Sequence, residues 1–180
     1  MSGSYNANVV KTIFQGNEPS NPSNFNVIGD EKLFFRASSG FPQDGLWVTD
    51  GTETGTEQIE NVVTRNQQFG SIIPGKDKIF YQTSDRSGVF FTSVTDGTSE
   101  GTFGISNLFS FTPPNYLGVL NERLFLSINK RNSPSGTLIE GDSGLWVSDG
   151  TETGTSRVLT QEVMVLSPID LQQSMTSYFS

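Results

Sequence analysis

The stretch Gly45-Leu46-Trp47-Val48-Thr49-Asp50-Gly51-Thr52-Glu53-Thr54-Gly55-Thr56 decides the fold, because the chain contains it three times. It returns almost letter for letter at residues 144–155, and a shorter form occupies residues 94–102. The aspartates that mark the three copies, Asp50, Asp96 and Asp149, are 46 and 53 residues apart. Repeats of about this length are typical of propeller blades and solenoid units.

The residues around each copy predict the same four strands in the same order. In the first copy these are residues 25–28, 32–38, 45–49 and 57–62, with turn residues between them. Four short antiparallel strands joined by turns form a meander, which is one blade of a propeller. We therefore predict an all-β, β-propeller-like array of four-stranded antiparallel meander blades, with blade 1 at about 21–63, blade 2 at about 69–109 and blade 3 at about 115–160.

The two ends of the chain predict strands that belong to no complete blade. Val9–Ile13 has the pattern of a fourth strand, and residues 163–166 and 175–179 have the pattern of further strands. Three blades are too few to close a ring, since propellers have roughly 4 to 8. We expect residues 9–14 and 161–180 to form a hybrid fourth blade or to exchange between chains, unless the chain belongs to a longer array.

The composition excludes several classes of function. The chain has no Cys and no His, which rules out thiolate nucleophiles, imidazole bases and thiolate or imidazole zinc sites. Its net charge of −8 and pI near 4.4 oppose binding to nucleic acid or to an anionic membrane surface. No apolar window is long enough to span a membrane, and residues 1–8 lack the features of a secretory signal. We expect no membrane insertion and no cofactor.

The Asp-Gly-Thr turns are predicted to be structural. Gly takes the positive φ of a tight turn, and the Asp and Thr side chains bond its backbone amides. Calcium is the alternative, because Asp50 with Glu53, and Asp149 with Glu152, place several oxygens in one short loop. The predicted turn residues are Asp50, Gly51, Thr52, Gly55, Asp96, Gly97, Thr98, Gly101, Asp149, Gly150, Thr151 and Gly154.

Four residues are candidate ligand contacts: Trp47, Trp146, Lys130 and Arg131. The two Trp side chains either offer platforms for sugar rings or fill the gap between blades. Lys130 and Arg131 begin a loop, residues 130–143, that is longer than its counterparts. Insertions in repeats often lie on the binding face, although a tolerated surface loop is the simpler interpretation.

Two pairs of carboxylates could in principle support glycoside hydrolysis, Glu57 with Glu60 and Glu140 with Asp142. Neither pair recurs with a partner base or a metal cluster. We therefore predict a protein that is not an enzyme.

Residues 45–56, followed by Val62, resemble the bacterial tandem repeat written Glu-Leu-Trp-x-x-Asp-Gly-Thr-x-x-Gly-Thr. The run Asn21–Phe25 before Lys32–Phe35 is also similar to that family, and the resemblance covers roughly residues 9–160. The chain differs where Gly precedes Leu-Trp in place of Glu, and where Thr92–Val94 replaces Leu-Trp-Val. The resemblance implies a propeller-like fold in a large surface or secreted protein, hence an extracellular location, and supplies no catalytic residue.

These observations lead to one functional expectation with two alternatives. We expect a non-enzymatic binding or assembly module that associates with itself or with another protein. The first alternative is a structural component that assembles by strand exchange at its termini. The second is a glycan-binding propeller.

Overall fold

The computed structural model describes residues 8–40, 43–60, 68–129 and 143–158, and within these ranges the chain forms β-strands and no helix. No helix in this part of the chain could therefore cross a membrane. The strands are β1 Ser23–Ile28, β2 Lys32–Gly40, β3 Gln43–Thr49, β4 Glu57–Gln58, β5 Gln68–Pro74, β6 Ile79–Ser84, β7 Phe90–Thr95, β8 Phe103–Ser110, β9 Asn115–Leu120, β10 Arg123–Ile128, β11 Gly144–Ser148 and β12 Ser156–Arg157.

The strands form three antiparallel sheets, each a meander of four consecutive strands. Sheet 1 contains β1 to β4, sheet 2 contains β5 to β8, and sheet 3 contains β9 to β12. The prediction of an all-β chain built from four-stranded meanders is confirmed. The strands β4 and β12 are shorter than predicted, although Ile59 and Val158 still donate backbone hydrogen bonds to the carbonyls of Leu46 and Leu145.

Each sheet has two faces whose residues correspond from one sheet to the next. Directly opposed residues of antiparallel strands lie on the same face, and the register pairs Phe34 with Val48, and Phe35 with Trp47. We call the face of Phe34 and Val48 the front and the face of Phe35 and Trp47 the rear. The corresponding pairs are Phe80 with Val94 and Phe125 with Val147 on the front, and Tyr81 with Ser93 and Leu126 with Trp146 on the rear.

The hydrophobic core lies between the sheets. The front of sheet 1, including Phe34 and Leu46, packs with Ile79 and Tyr81 from the rear of sheet 2. The front of sheet 2 packs in the same way against the rear of sheet 3. This arrangement explains why the second strand of each sheet (β2, β6 and β10) has consecutive apolar residues, since both faces of that strand are covered or partly covered.

The first strands of the three sheets lie side by side. β1 neighbours β5, and β5 neighbours β9. Residues of all three strands, among them Asn24, Ile72 and Tyr116, line one open cavity of about 460 Å³. The first strands therefore share one side of the molecule.

The expected strand at Val9–Ile13 is not formed. Instead, Ile13 packs on the rear of sheet 1 against Phe35, Ala37 and Trp47. An apolar side chain on an otherwise uncovered face removes more apolar surface from water there than it would at a sheet edge. The predictions for residues 161–180, and for nearly all of the loop 130–143, fall outside the described residues.

Candidate functional site

The three Asp-Gly-Thr turns have the same hydrogen bonds. In the first, Oδ1 of Asp50 accepts from the backbone N–H of Thr52 at 2.8 Å and from its hydroxyl at 2.7 Å. The Thr52 hydroxyl oxygen then accepts from the N–H of Gly55 at 2.9 Å. The turns at Asp96 and Asp149 repeat all three contacts. The carboxylate and hydroxyl of the motif are thus used to hold the turn itself.

The second glycine of each motif is required by close approach. A Cβ atom on Gly55 would lie far closer than 3.0 Å to the carboxylate of Asp50. The same collision would occur between Gly101 and Asp96, and between Gly154 and Asp149. The Asp carboxylate therefore occupies the space that a side chain would need, which explains why all three copies have Gly five residues after the Asp.

The hydrogen bonds from threonine stabilise the ionised aspartates. The hydroxyl and N–H of Thr52 lower the pKa of Asp50 below its ordinary value of 3.8. At Asp96, partial burial acts to raise the pKa, but the Thr98 donors and the charge of Lys32 outweigh it and the pKa is lowered. At Asp149 the pKa is lowered by the Thr151 donors and by the charges of Lys78 and Arg123.

The first glycine of the motif joins neighbouring sheets. Gly97 has a φ of 95°, and a Cβ there would meet Phe34 at 3.3 Å and Val48 at 3.4 Å on the front of sheet 1. Gly150, with a φ of 96°, would meet Val94 at 3.3 Å and Phe80 at 3.5 Å on the front of sheet 2. The turns of sheets 2 and 3 therefore each pack this glycine onto the Phe and Val of the preceding sheet.

A lysine from the preceding sheet binds the same turn. Lys32 donates through Nζ to the carbonyl oxygen of Asp96 at 3.1 Å, and Lys78 donates to that of Asp149 at 3.0 Å. Arg123 holds the corresponding position in sheet 3, because it starts β10 as Lys32 starts β2. The two junctions between sheets thus use one set of contacts, which we call the junction contacts: a basic side chain on the Asp carbonyl, and a glycine on a Phe and Val.

The two junctions differ in one pair of polar side chains. At the first, the hydroxyl of Ser99 in the second turn donates to Oε2 of Glu60 at 3.4 Å. At the second, the hydroxyl of Ser106 donates to Glu152 in the third turn. Carboxylate and hydroxyl have exchanged places between corresponding positions.

An open cavity of about 420 Å³ lies beside the turns of sheets 2 and 3. Lys32 and Lys78 enter it, but both also donate to backbone carbonyls of the turns. The carboxylates of Asp96 and Asp149 are held by Thr98 and Thr151. These four charged side chains thus each have a partner within the fold.

The calcium alternative gains no support from the described residues. Within them, no group of three or more acidic side chains is gathered that could hold a metal ion. The Glu152 carboxylate, one of the predicted ligands, accepts a hydrogen bond from Ser106.

Of the four candidate ligand contacts, the structure describes Trp47 and Trp146, and these two lie in different parts of the fold. Trp47 is 6% exposed and lies on the rear of sheet 1, and Trp146 is 9% exposed and lies between sheets 2 and 3. Neither ring is thus an exposed platform for a sugar. Lys130 and Arg131, like Glu140 and Asp142, lie outside the described residues. Glu57 and Glu60 are both exposed.

Sheet 3 presents a front face that is less covered than the fronts of sheets 1 and 2. Phe34 and Phe80 are fully buried, whereas the corresponding Phe125 is only half-buried. Leu120 is 64% exposed, while Ile28, at the corresponding place beside the start of the second strand, is 4% exposed. The front residues of sheet 3 are Leu120, Arg123, Phe125, Leu145, Val147 and Val158.

Sheet 1 presents a rear face that is covered only in part. Ile13 covers Phe35 and Trp47, but Phe25 and Val27 on β1 are 58% and 66% exposed. Phe25 stacks on Phe35 at a ring distance of 5.9 Å, so the exposed and covered parts form one continuous apolar surface. These two end faces were not predicted from the sequence. The recurrence of Lys32, Lys78 and Arg123 before the apolar triplets was the signal that could have indicated them.

Comparisons of the chain with models of protein families, with curated proteins and with solved structures found no match.

Proposed function

We propose that the chain is a non-enzymatic binding or assembly module, built from propeller-like repeats and belonging to a bacterial surface or secreted protein. Its partner is a protein, and self-association is the mode that its geometry favours. The resemblance of the motif to a bacterial tandem repeat supports the setting. The packing of the sheets supports self-association.

The propeller-like arrangement is supported by how the sheets meet. The same junction contacts link sheet 1 to sheet 2 and sheet 2 to sheet 3. The first strands face a common cavity, as the inner strands of blades do around a propeller axis. Repetition of one junction rotates each unit by a similar amount, which produces a ring or a superhelix.

The non-enzymatic role is supported by how the repeated polar residues are used. The Asp and Thr side chains of each turn bond one another and the turn backbone. The described carboxylate pair, Glu57 and Glu60, is exposed. The sequence indicates no catalytic base to accompany this pair. The motif therefore serves the fold, and function belongs to surfaces where the copies differ.

One observation carries the proposal: the apolar end faces of the three-sheet stack. Leu120 on the front of sheet 3 and Val27 on the rear of sheet 1 are each about two-thirds exposed, at 64% and 66%. Contiguous exposed apolar surface of this kind marks sites of protein contact.

Sedimentation velocity of the full chain over a wide range of concentration tests the proposal. We expect a sedimentation coefficient that rises with concentration as the chain associates. A Phe103→Glu variant is the matched control. Phe103 is an exposed aromatic residue, at 44%, that lines the cavity beside the turns of sheets 2 and 3 and lies on neither end face. A chain that stays monomeric at every concentration contradicts the assembly function.

The two alternatives stay predictions without an observation in their favour. Strand exchange at the N-terminus would use residues 9–13, which form no strand and of which Ile13 packs on a sheet face. Glycan binding would use Trp47 and Trp146, which are buried. Titration with a panel of oligosaccharides, followed by tryptophan fluorescence, tests the second alternative directly.

A further inference from the structure

We propose that two copies of this chain stack head to tail, with the front of sheet 3 in each copy against the rear of sheet 1 in the other. The result is a closed dimer with two identical junctions. This inference rests on the proposed assembly function and names its partner and its surfaces. The contacts are between sheet faces, and no strand is exchanged.

The front of sheet 3 has the residues that the two internal junctions use. Arg123 stands where Lys32 and Lys78 donate to the turn of the following sheet. Phe125 and Val147 are cross-strand partners, as are Phe34 and Val48. In sheets 1 and 2 this Phe and Val receive the turn glycine of the next sheet. Sheet 3 therefore presents a basic residue, a Phe and a Val in the arrangement that binds an Asp-Gly-Thr turn.

Within the described part of the chain, the turn of sheet 1 is the one whose first glycine packs on no neighbour. Gly51 has a φ of 89°, close to that of Gly97 and Gly150, but a Cβ there would meet nothing within 4 Å. Lys11 of the N-terminal segment binds this turn at other atoms, the carbonyls of Glu53 and Thr56, while Gly51 itself is exposed. The internal lysines instead bind the carbonyls of Asp96 and Asp149. Gly51 is therefore accessible to the Phe and Val of a second chain.

The apolar residues beside the turn continue the same surface. Val27 opposes Leu33 in sheet 1 as Val119 opposes Leu124 in sheet 3. Val119 packs into the core between sheets 2 and 3, while Val27 is 66% exposed. Val27 is thus an exposed side chain on the rear of sheet 1 at a position that is packed in an internal junction.

A second copy is the occupant that satisfies both faces at once. A ring needs each front to meet a rear, and the three described sheets of two copies give six sheets, within the ~4 to 8 blades of known propellers. A head-to-tail contact gives a finite ring when the rotation between successive copies adds up to a full turn. The front of sheet 3 is then covered as the fronts of sheets 1 and 2 are. On sheet 1 the new contacts lie at Gly51 and Val27, beside the part of the rear face that Ile13 already covers.

The test blocks each face by itself and then mixes the two variants. Leu120→Glu places a carboxylate on the front of sheet 3, and Val27→Glu places one on the rear of sheet 1. Both positions are exposed in the single chain, so both variants should fold, which near-ultraviolet circular dichroism checks. Phe103→Glu is again the control for adding one charge to an exposed apolar site.

We expect the wild-type chain and Phe103→Glu to form dimers in sedimentation velocity. Each blocked variant should dissociate at concentrations at least ~100-fold higher than the wild type, since an unpaired carboxylate would enter both junctions. An equal mixture of the two blocked variants should regain dimers, because an intact front then meets an intact rear. Their association should be weaker than that of the wild type, since one of the two junctions remains blocked.

Three results would overturn the inference. A dimer that persists in both blocked variants points to another interface and leaves the assembly function in place. Loss of the dimer in Leu120→Glu alone, with no recovery on mixing, indicates a front-to-front contact and also leaves that function in place. A wild-type chain that is monomeric throughout removes both the inference and the assembly function.

Discussion

Replacing the first glycine of each motif by alanine should separate backbone strain from packing between sheets. Gly51, Gly97 and Gly150 have φ values of 89°, 95° and 96°, so an alanine should suffer similar strain at all three. The N–H of each glycine also donates to the same kind of partner, a Thr or Ser hydroxyl oxygen two residues earlier, at 3.0 Å. The surroundings differ, because Gly97 and Gly150 contact the preceding sheet and Gly51 does not.

The magnitudes follow from these two contributions. A positive φ costs an L-residue about 1–2 kcal/mol, and this is the whole effect expected for Gly51→Ala. At Gly97 the new methyl group would lie 3.3 Å from Phe34, which is closer than an ordinary contact and requires the sheets to separate slightly. Overpacking of this kind costs about 1–3 kcal/mol more. Gly97→Ala and Gly150→Ala should therefore reduce the free energy of unfolding by at least about 1 kcal/mol more than Gly51→Ala.

Urea unfolding followed by tryptophan fluorescence and by circular dichroism measures these differences. The buried Trp47 and Trp146 report on sheets 1 and 3, and coincident transitions establish that one free energy describes the chain. The protein concentration should be below that of self-association, where Gly51 has no neighbour. Equal losses of stability at all three glycines would refute the packing of the turn on the preceding sheet.

Three further predictions follow from the turns and junctions. Gly101→Ala should cost about 1–3 kcal/mol in urea unfolding because its methyl group meets the Asp96 carboxylate, whereas Gly104→Ala, with Ser93 at 3.8 Å as its nearest contact, should cost clearly less. Ser106→Glu should face Glu152 with a second carboxylate and lose about 0.5–1 kcal/mol in low salt; a double-mutant cycle in which Glu152→Ser fails to restore that loss would contradict the contact. The stability of the wild-type chain should fall as the pH drops through 3.8, because folded-state pKa values below the ordinary one stabilise the chain only while Asp50, Asp96 and Asp149 are ionised. Thr98→Val, which removes one hydroxyl donor, should flatten this acid limb in urea unfolding at a series of pH values, and an unchanged slope would argue against the bond.

The strands were predictable because local patterns specify them. Alternation and aromatic runs are properties of a few consecutive residues, and the motif fixes the turn between the third and fourth strands. All twelve described strands fall where the sequence indicated them, apart from shifts at their ends and two short fourth strands. The exception is Val9–Ile13, whose alternation is that of a strand. Its environment is decided by Trp47 and Phe35, which lie far away in the sequence, and local pattern carries no information on that contact.

The junctions were less predictable, because they depend on which faces meet. The sequence shows that Gly97 can adopt a positive φ, but it does not show that Phe34, 63 residues earlier, lies against it. The need for glycine at position 101 was equally hard to predict. Gly101 has no positive φ, and only the structure shows that the Asp96 carboxylate fills the space of a side chain there. The role of Trp47 also depended on burial. Only the three-dimensional arrangement distinguishes a platform for a ligand from a ring inside the fold.

The exchanged pairs, Glu60 with Ser99 and Ser106 with Glu152, bear on how a chain of near-identical units folds correctly. Copies one and three of the motif differ so little that a folding chain could dock sheet 3 directly onto sheet 1, and misassembly between similar units is a known failure of repeat proteins. In that wrong arrangement the carboxylates of Glu60 and Glu152 would face and repel each other. In the correct one, Glu60 faces the hydroxyl of Ser99. Two weak surface contacts thereby favour one order of assembly over another, and selection for fidelity of folding could preserve them even where their contribution to final stability is small.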